Sequence, residues 1–223
     1  MNAAAFLSVR PAACRARISA VDGEPLDAWT ACDPTTPAGE AIELWLVDLD
    51  ADAGPPTDTA ARHAARSATA GRWLRRILAG ALGCAEADVG LVVGARGKPM
   101  LRAARTPPLH FNASRSGRFA LVAVAAIELG IDIERRVHRT LRDEAEEDVA
   151  DPTERLQRWT RREAVVKATG LGLGMRFRSP LSANSGSVQL GGSFWRWRDV
   201  GLPADCPAVA TIAYREREPQ ACG

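Results

Sequence analysis

The sequence lacks the patterns that mark a disulfide framework, a zinc site, a membrane span or a secretory signal. Its five cysteines are odd in number and scattered, and none forms a Cys-x-x-Cys pair. A membrane-spanning helix needs about 20 apolar residues, and no apolar run approaches that length. The apolar part of residues 1–9 is too short for a secretory signal and has no basic residues before it. We therefore expect a soluble, cytoplasmic protein with no membrane partner.

Further absences argue against several classes of function. The net charge of +2 and the pI near 8.4 are too mild to require nucleic acid as a partner. There is no Gly-x-Ser-x-Gly, and none of the three histidines lies beside a marked nucleophile, which argues against a serine hydrolase. The residue after Lys98 is proline rather than Ser or Thr, so the glycines around it do not form a P-loop.

What is present is the composition of a globular chain, since 46% of the 223 residues are hydrophobic and 25% are charged. Residues 1–40 begin rich in Ala and Arg and continue rich in Pro and Gly, which predicts an irregular N-terminal extension. Residues 41–128 and 129–216 then repeat the order of a strand, a long helix and further strands, and a tail follows at 217–223. The sequence thus predicts an α+β chain of two similar halves.

Hydrophobic periodicity, helix caps and turn residues predict the individual elements. The first helix is expected from Thr57 or Asp58 to Leu82, with Gly83 ending it, and the second from Pro152 or Thr153 to Thr169. The strands are expected at residues 42–49, 89–93, 119–127, 129–134, 187–197 and 208–214.

Asp132 and Glu134 are two residues apart in the strand that begins at Leu129. Side chains two apart leave the same face of a strand, so these carboxylates lie side by side and repel each other. A divalent cation with oxygen ligands would relieve the repulsion. A solvated acidic face at the end of a strand is the alternative interpretation.

Glu163 and Lys167 lie on the predicted inward face of the second helix, with Leu156, Trp159 and Val166 at spacings of three and four. An exposed Glu–Lys pair at i, i+4 is common, but it belongs on the polar face. That face is occupied by Arg155, Arg158, Arg161 and Arg162. Because an isolated buried charge costs several kcal/mol, we interpret Glu163 and Lys167 as functional.

Two upstream segments add polar groups. Lys98 lies between a glycine that permits a tight turn and Pro99, which stiffens the backbone. The segment Phe111-Asn-Ala-Ser-Arg-Ser-Gly117 is predicted to be a polar loop that can hold a phosphate through backbone N–H groups, Ser114 and Arg115. An ordinary turn is the alternative.

Four motifs, in this order, resemble the signature of the Sfp-type 4'-phosphopantetheinyl transferases. They are Gly97-Lys-Pro99, Phe111-Asn-Ala-Ser-Arg-Ser-Gly117, Gly130-Ile-Asp-Ile-Glu134 and Trp159-Thr-Arg-Arg-Glu-Ala-Val-Val-Lys167. The resemblance implies a pseudo-dimeric α+β fold with the active site at the seam between the halves. It also implies transfer of phosphopantetheine from coenzyme A to a serine of an apo acyl, peptidyl or aryl carrier protein, leaving adenosine 3',5'-bisphosphate. Such a modification serves fatty acid, polyketide, nonribosomal peptide or related secondary metabolite synthesis, and we expect a monomer.

The same resemblance implies a role for each site residue. Asp132, Glu134 and Glu163 would hold Mg²⁺, with Mn²⁺ as a substitute. The expected catalytic residues are Asp132, Glu163, which would take the serine proton, and Lys167, which would stabilise charge on the phosphates. The contacts to coenzyme A would come from Lys98, Pro99, Ser114, Arg115 and Lys167.

The sequence also departs from the family pattern. Arg115 stands where many members have His, the connection from Glu134 to Trp159 is short, and only Arg66 and Arg72 suggest the basic nucleotide contacts of the N-terminal half. A non-catalytic relative that binds coenzyme A or a carrier protein is therefore the alternative function. A Rossmann-type enzyme is disfavoured, because the glycines at 170–174 follow a helix and predict its C-cap.

Overall fold

The computed structural model describes residues 13–18, 30–31, 41–51, 58–94, 98–102, 108–136, 151–171 and 181–216. Within these ranges the helices are α1 (Thr59–Leu82) and α2 (Pro152–Thr169), with a 3₁₀ turn at Glu86–Asp88. The strands are β1 (Ala13–Ile18), β2 (Thr30–Ala31), β3 (Ile42–Asp48), β4 (Leu91–Val93), β5 (Pro99–Leu101), β6 (His110–Ser116), β7 (Phe119–Ala125), β8 (Leu129–Arg135), β9 (Ser185–Leu190), β10 (Ser193–Asp199) and β11 (Ala208–Arg215).

The strands form two main antiparallel sheets and a separate β4–β5 pair. The first sheet has the order β2-β1-β3-β7-β6 and the second the order β8-β11-β10-β9. The central strands β3 and β7 are buried along their whole length, which explains their nearly unbroken apolar sequences. The two helices and two antiparallel sheets confirm the α+β class.

The sheets pack face to face between the two helices. One face of β3 and β7 packs with residues of β8 and β11, such as Ile131 and Ile212, in one core cluster. Their other face packs with Ile77 and Leu78 of α1. Helix α2 covers the far face of the second sheet, where Ala164 and Val165 meet the tryptophans of β10. The layers therefore follow the order α1, first sheet, second sheet, α2.

The two sheets repeat a connectivity. In the first sheet β3 pairs with β7 and β7 with β6; in the second β8 pairs with β11 and β11 with β10. In each case the strand just before the long helix, β3 or β8, pairs with the last strand of that half, β7 or β11. This order agrees with two similar halves, while the pseudo-dimer and the exact domain limits stay predictions.

Local signals define both helices as the sequence predicts. Asp58 caps α1 by accepting the Ala61 N–H at 2.8 Å, and Gly83 ends the helix with φ 63°. Asp151 caps α2 ahead of Pro152, and Gly170 ends it with φ 65°. Since the cap residues satisfy backbone groups that the helix leaves open, both ends can be predicted from neighbouring residues.

Three of the element predictions are wrong. Residues 13–18 are not irregular but form β1, whose backbone pairs with residues 42–47 of β3. Residues 110–116 are not a loop but the strand β6, paired with β7 throughout. The strand expected at 187–197 is instead the hairpin β9–β10, because Gly191 and Gly192 adopt φ 59° and 79° and turn the chain. The short connection lies mostly at 137–150, outside the described residues.

Candidate active site

The site is built where α2 lies directly on β8. Gly130 of β8 faces the helix so closely that a Cβ there would lie 2.2 Å from the Ala168 nitrogen and 2.3 Å from the Ala164 oxygen. Only glycine permits such an approach of two backbones. As Gly130 lies two residues before Asp132, this contact brings the last turns of α2 over the acidic face of β8.

Lys167, Asp132 and Ser114 form a hydrogen-bonded triangle at this point. The Lys167 Nζ donates to Asp132 Oδ1 at 2.6 Å and to Ser114 Oγ at 3.1 Å, and Ser114 Oγ donates to Asp132 Oδ1 at 2.8 Å. The Asp132 side chain is 5% exposed and that of Lys167 is 27% exposed. The structure therefore brings together three residues that the sequence predicts for the site.

Asp132 and Glu163 are held in an environment that disfavours their charge. Burial raises the pKa of Asp132, although Lys167 and Ser114 oppose the shift, and Oδ2 of Asp132 is buried without a hydrogen-bond partner. Burial, and then the charge of Asp132, raises the pKa of Glu163. Glu134 contributes to both shifts in the same direction. The negative charges of neighbouring acids thus add to both shifts.

Alternate residues of β6 fasten this strand to β8. Asn112 Oδ1 accepts the Ile131 N–H at 3.0 Å, Ser114 binds Asp132, and Ser116 Oγ donates to Glu134 Oε2 at 2.7 Å. Residues two apart share one face of a strand, so the polar pattern of this motif forms a row along the edge of β8. The sequence signal for this row is present, but it depends on recognising β6 as a strand.

Arg115 does not join this row. It points to the opposite face of β6, where its Nη1 donates to Ser67 Oγ of α1 at 2.7 Å and its Nη2 lies 3.5 Å from His63 Nε2. The structure thus separates Ser114 from Arg115, which the sequence analysis groups as one phosphate site. Of the two arginines expected near the nucleotide, Arg66 binds Asp50 at 2.7 Å and Arg72 binds Thr69 at 2.9 Å.

Lys98 enters the site from the β4–β5 pair. Its Nζ donates to the backbone carbonyl of Lys167 at 2.9 Å and lies 3.4 Å from that of Leu129. Burial lowers the pKa of Lys98, which the charge of Glu128 partly opposes. Pro99 begins β5 and is exposed, and Gly97 lies outside the described residues.

The inward face of α2 is rotated slightly from the predicted one. Trp159, Glu163 and Lys167 are partly exposed and flank the buried face, which consists of Leu156, Thr160, Arg161, Ala164, Val165, Val166 and Ala168. This placement leaves the side chains of Glu163 and Lys167 at the edge of the contact between α2 and the sheet, where they can meet a ligand. The assignment of Arg161 to the polar face is wrong.

Arg161 is a buried residue that the sequence analysis misses. Its side chain is 1% exposed and binds Asp199 through Nε at 3.0 Å and Nη2 at 2.6 Å, while Nη1 donates to Glu154 and to the Leu181 carbonyl. These bonds join α2 to β10 and to the segment before β9. Arg161 therefore anchors the helix that carries Glu163 and Lys167.

The carboxylates do not stand in a finished metal site. Among the residues that the structure describes, no three His, Cys, Asp or Glu side chains lie close enough together to hold a metal ion. Lys167 instead places its charge against Asp132. The chemistry of the donors still fits a hard cation, because the partnerless Asp132 Oδ2 is an oxygen acceptor among coupled acids. The metal ligands Asp132, Glu134 and Glu163 remain a prediction.

Residues 128–200 match the family model of the 4'-phosphopantetheinyl transferase superfamily. This segment of the chain is similar to that superfamily. The matched residues include β8, α2, β9 and β10, and thus Asp132, Glu134, Glu163 and Lys167. No curated protein matches the chain. The match confirms the resemblance at the level of the superfamily and supports phosphopantetheine transfer in general. The Sfp type stays a prediction.

No helix within the described ranges is long and apolar enough to cross a membrane.

Proposed function

We propose that this protein transfers 4'-phosphopantetheine from coenzyme A to a serine of an apo carrier protein. The observation that carries the proposal is the Lys167–Asp132–Ser114 triangle beside Glu163. Its Lys167 and Asp132, and Glu163, lie in the segment that matches the transferase superfamily. In this reaction the serine oxygen bonds to the phosphorus next to pantetheine. The bond from that phosphorus to the bridging oxygen breaks, and adenosine 3',5'-bisphosphate leaves.

Glu163 is suited to take the serine proton. A general base works best when its pKa approaches the ambient pH, and burial together with Asp132 moves the pKa of Glu163 upward from its usual value. Its partial exposure leaves the carboxylate open to a substrate hydroxyl. Because Glu163 lies one helical turn before Lys167, its carboxylate is placed beside the Lys167 ammonium.

Lys167 and Ser114 are suited to bind phosphate. The Lys167 ammonium lies at the edge of the α2 contact and is partly exposed, so an approaching phosphate can compete with Asp132 for it. Ser114 Oγ is within hydrogen-bond distance of the same ammonium. Positive charge held at this point stabilises the charge that develops on the phosphoryl oxygens.

Asp132, Glu134 and Glu163 would hold the divalent cation, with the partnerless Asp132 Oδ2 as an available ligand. A cation held there would neutralise charge on the pyrophosphate and polarise the phosphorus. Ser116 and Ser114 hold Glu134 and Asp132 in place through the hydrogen bonds that they donate.

The test is to incubate the purified protein with coenzyme A, Mg²⁺ and a panel of apo acyl, peptidyl and aryl carrier proteins. We expect the intact mass of at least one carrier to rise by one phosphopantetheine, and chelation of the metal to stop the rise. If the folded protein modifies no carrier, the proposed transferase activity is refuted. If that protein still binds coenzyme A in a calorimeter, the non-catalytic alternative is the better description.

A further inference from the structure

The two lysines of this chain meet in the site. Of its 29 lysine and arginine residues, only Lys98 and Lys167 are lysines. The Lys98 Nζ donates to the backbone carbonyl of Lys167 at 2.9 Å. An ammonium is a compact donor, whereas a guanidinium is a wide planar fork, so lysine suits a narrow space between two backbones. The only two lysines are therefore linked at one place in the fold.

The carbonyls that Lys98 binds belong to the two elements that carry the site. Lys167 is in the last turn of α2, where carbonyls lack a helical N–H partner and the helix dipole favours a cation. Leu129, whose carbonyl lies 3.4 Å from Nζ, begins β8 three residues before Asp132. Lys98 thus connects the backbone of α2 to the backbone of β8 just beside the Lys167–Asp132 pair.

The support of Lys98 is stiff. The carbonyl of Lys98 accepts the Gly94 N–H at 2.9 Å, and Pro99 begins β5 directly after it. Its side chain is partly buried, and this burial lowers the pKa of the ammonium. Taking an ammonium out of water is costly unless its donors are used, and the two carbonyls accept from two of its three N–H groups.

We propose that Lys98 is a positioning residue that fixes the last turn of α2 on β8, so that Lys167 is held at Asp132. This role differs from the contact to the nucleotide that the family resemblance implies for Lys98. The catalytic consequence rests on the proposed function, whereas the structural part does not.

The kinetic test compares Lys98→Met, Lys98→Arg and wild type. A displaced Lys167 lowers kcat, and we expect a loss of about tenfold or more in Lys98→Met, because a shift of about 1 Å can cost about 100-fold. The KM for coenzyme A should stay within about twofold of wild type. Arg76→Met, which removes an exposed arginine of α1, is the control and should leave both constants unchanged. A raised KM with an unchanged kcat would mean that Lys98 contacts the nucleotide, and would overturn the proposal.

A second readout does not require activity. Protein labelled only at lysine gives two sets of side-chain NMR signals, which Lys98→Arg assigns. In Lys98→Met we expect the Lys167 signal to shift, and the backbone amides of residues 167–171 to exchange about tenfold faster, as for a locally loosened helix end. An unchanged Lys167 signal and unchanged exchange would refute the proposal even in an active enzyme. If Lys98→Met does not fold, Lys98→Gln is measured in the same way.

Discussion

The contact between Gly130 and α2 gives the sharpest test of how the fold creates the site. In Gly130→Ala the new Cβ would lie 2.2 Å from the Ala168 nitrogen and 2.3 Å from the Ala164 oxygen. Both are backbone atoms of a helix, so no side chain can rotate away. Helix α2 would have to withdraw by about 1 Å or more before these atoms reached ordinary contact distance.

The consequences follow from the hydrogen bonds at the helix. A withdrawal of that size stretches the 2.6 Å bond from Lys167 to Asp132 beyond hydrogen-bond range. We expect transfer activity to fall by about 100-fold, as for other displacements of this size. We also expect the free energy of unfolding to fall by about 1–3 kcal/mol, the usual cost of overpacking a core.

Activity is measured as the rate of carrier modification, and stability by urea unfolding. Gly71→Ala is the matched control, because a Cβ at Gly71 in α1 meets nothing within 4 Å. The free energy of unfolding of that variant should rise by about 0.5–1 kcal/mol, since alanine is the better helix former, and its activity should be unchanged. A Gly130→Ala protein with wild-type stability and rate would show that α2 does not owe its position to this contact.

Three further predictions concern single side chains. Asp132→Ala should lower turnover by about 100-fold or more, because it removes a key charge of the site, and a near wild-type rate would exclude Asp132 from it. The raised pKa of Glu163 means that this residue binds its proton more tightly in the folded state than in the unfolded state. The protonated Glu163 therefore contributes to stability fully below the unfolded pKa, and this contribution is lost as pH rises through the folded pKa. Glu163→Gln should therefore stabilise the metal-free protein at pH 7 and lose this advantage near pH 4, and pH-dependent urea unfolding that shows no such difference would contradict the shift. Arg161→Met should lower the free energy of unfolding by about 1.5–3 kcal/mol, because it removes the charged hydrogen bonds from a buried guanidinium to Asp199 and Glu154. Arg158→Met breaks a partly exposed pair and should lower it by at most about 1 kcal/mol in the same urea unfolding. Equal losses would contradict the buried role of Arg161.

Elements defined by neighbouring residues could be predicted from the sequence. Asp58 and Gly83 bond to open backbone groups within a few residues of themselves, and Gly170 ends α2 in the left-handed conformation that glycine favours. The helix ends were therefore predictable. The alternation through Ile131, Asp132 and Ile133 likewise placed the acid on the opposite face from the two buried isoleucines. These patterns are short in sequence and require no knowledge of tertiary contacts.

Other features depend on partners that are distant in sequence. The strand β6 is polar because Asn112, Ser114 and Ser116 bind β8, and that partner gives no local signal. In the sequence Arg161 looks like the arginines around it, and only its contact with Asp199 in the fold distinguishes it. The partner of Lys98 is a backbone carbonyl, which any residue type supplies, so no sequence pattern identifies it.

The most direct test of the central claim is the intact mass of an apo carrier protein after incubation with coenzyme A, Mg²⁺ and either wild-type protein or Glu163→Gln. The account predicts that wild type adds one phosphopantetheine, and that the variant does so about 100-fold more slowly while remaining folded. Modification at equal rates by both proteins, or by neither across acyl, peptidyl and aryl carriers, would contradict it.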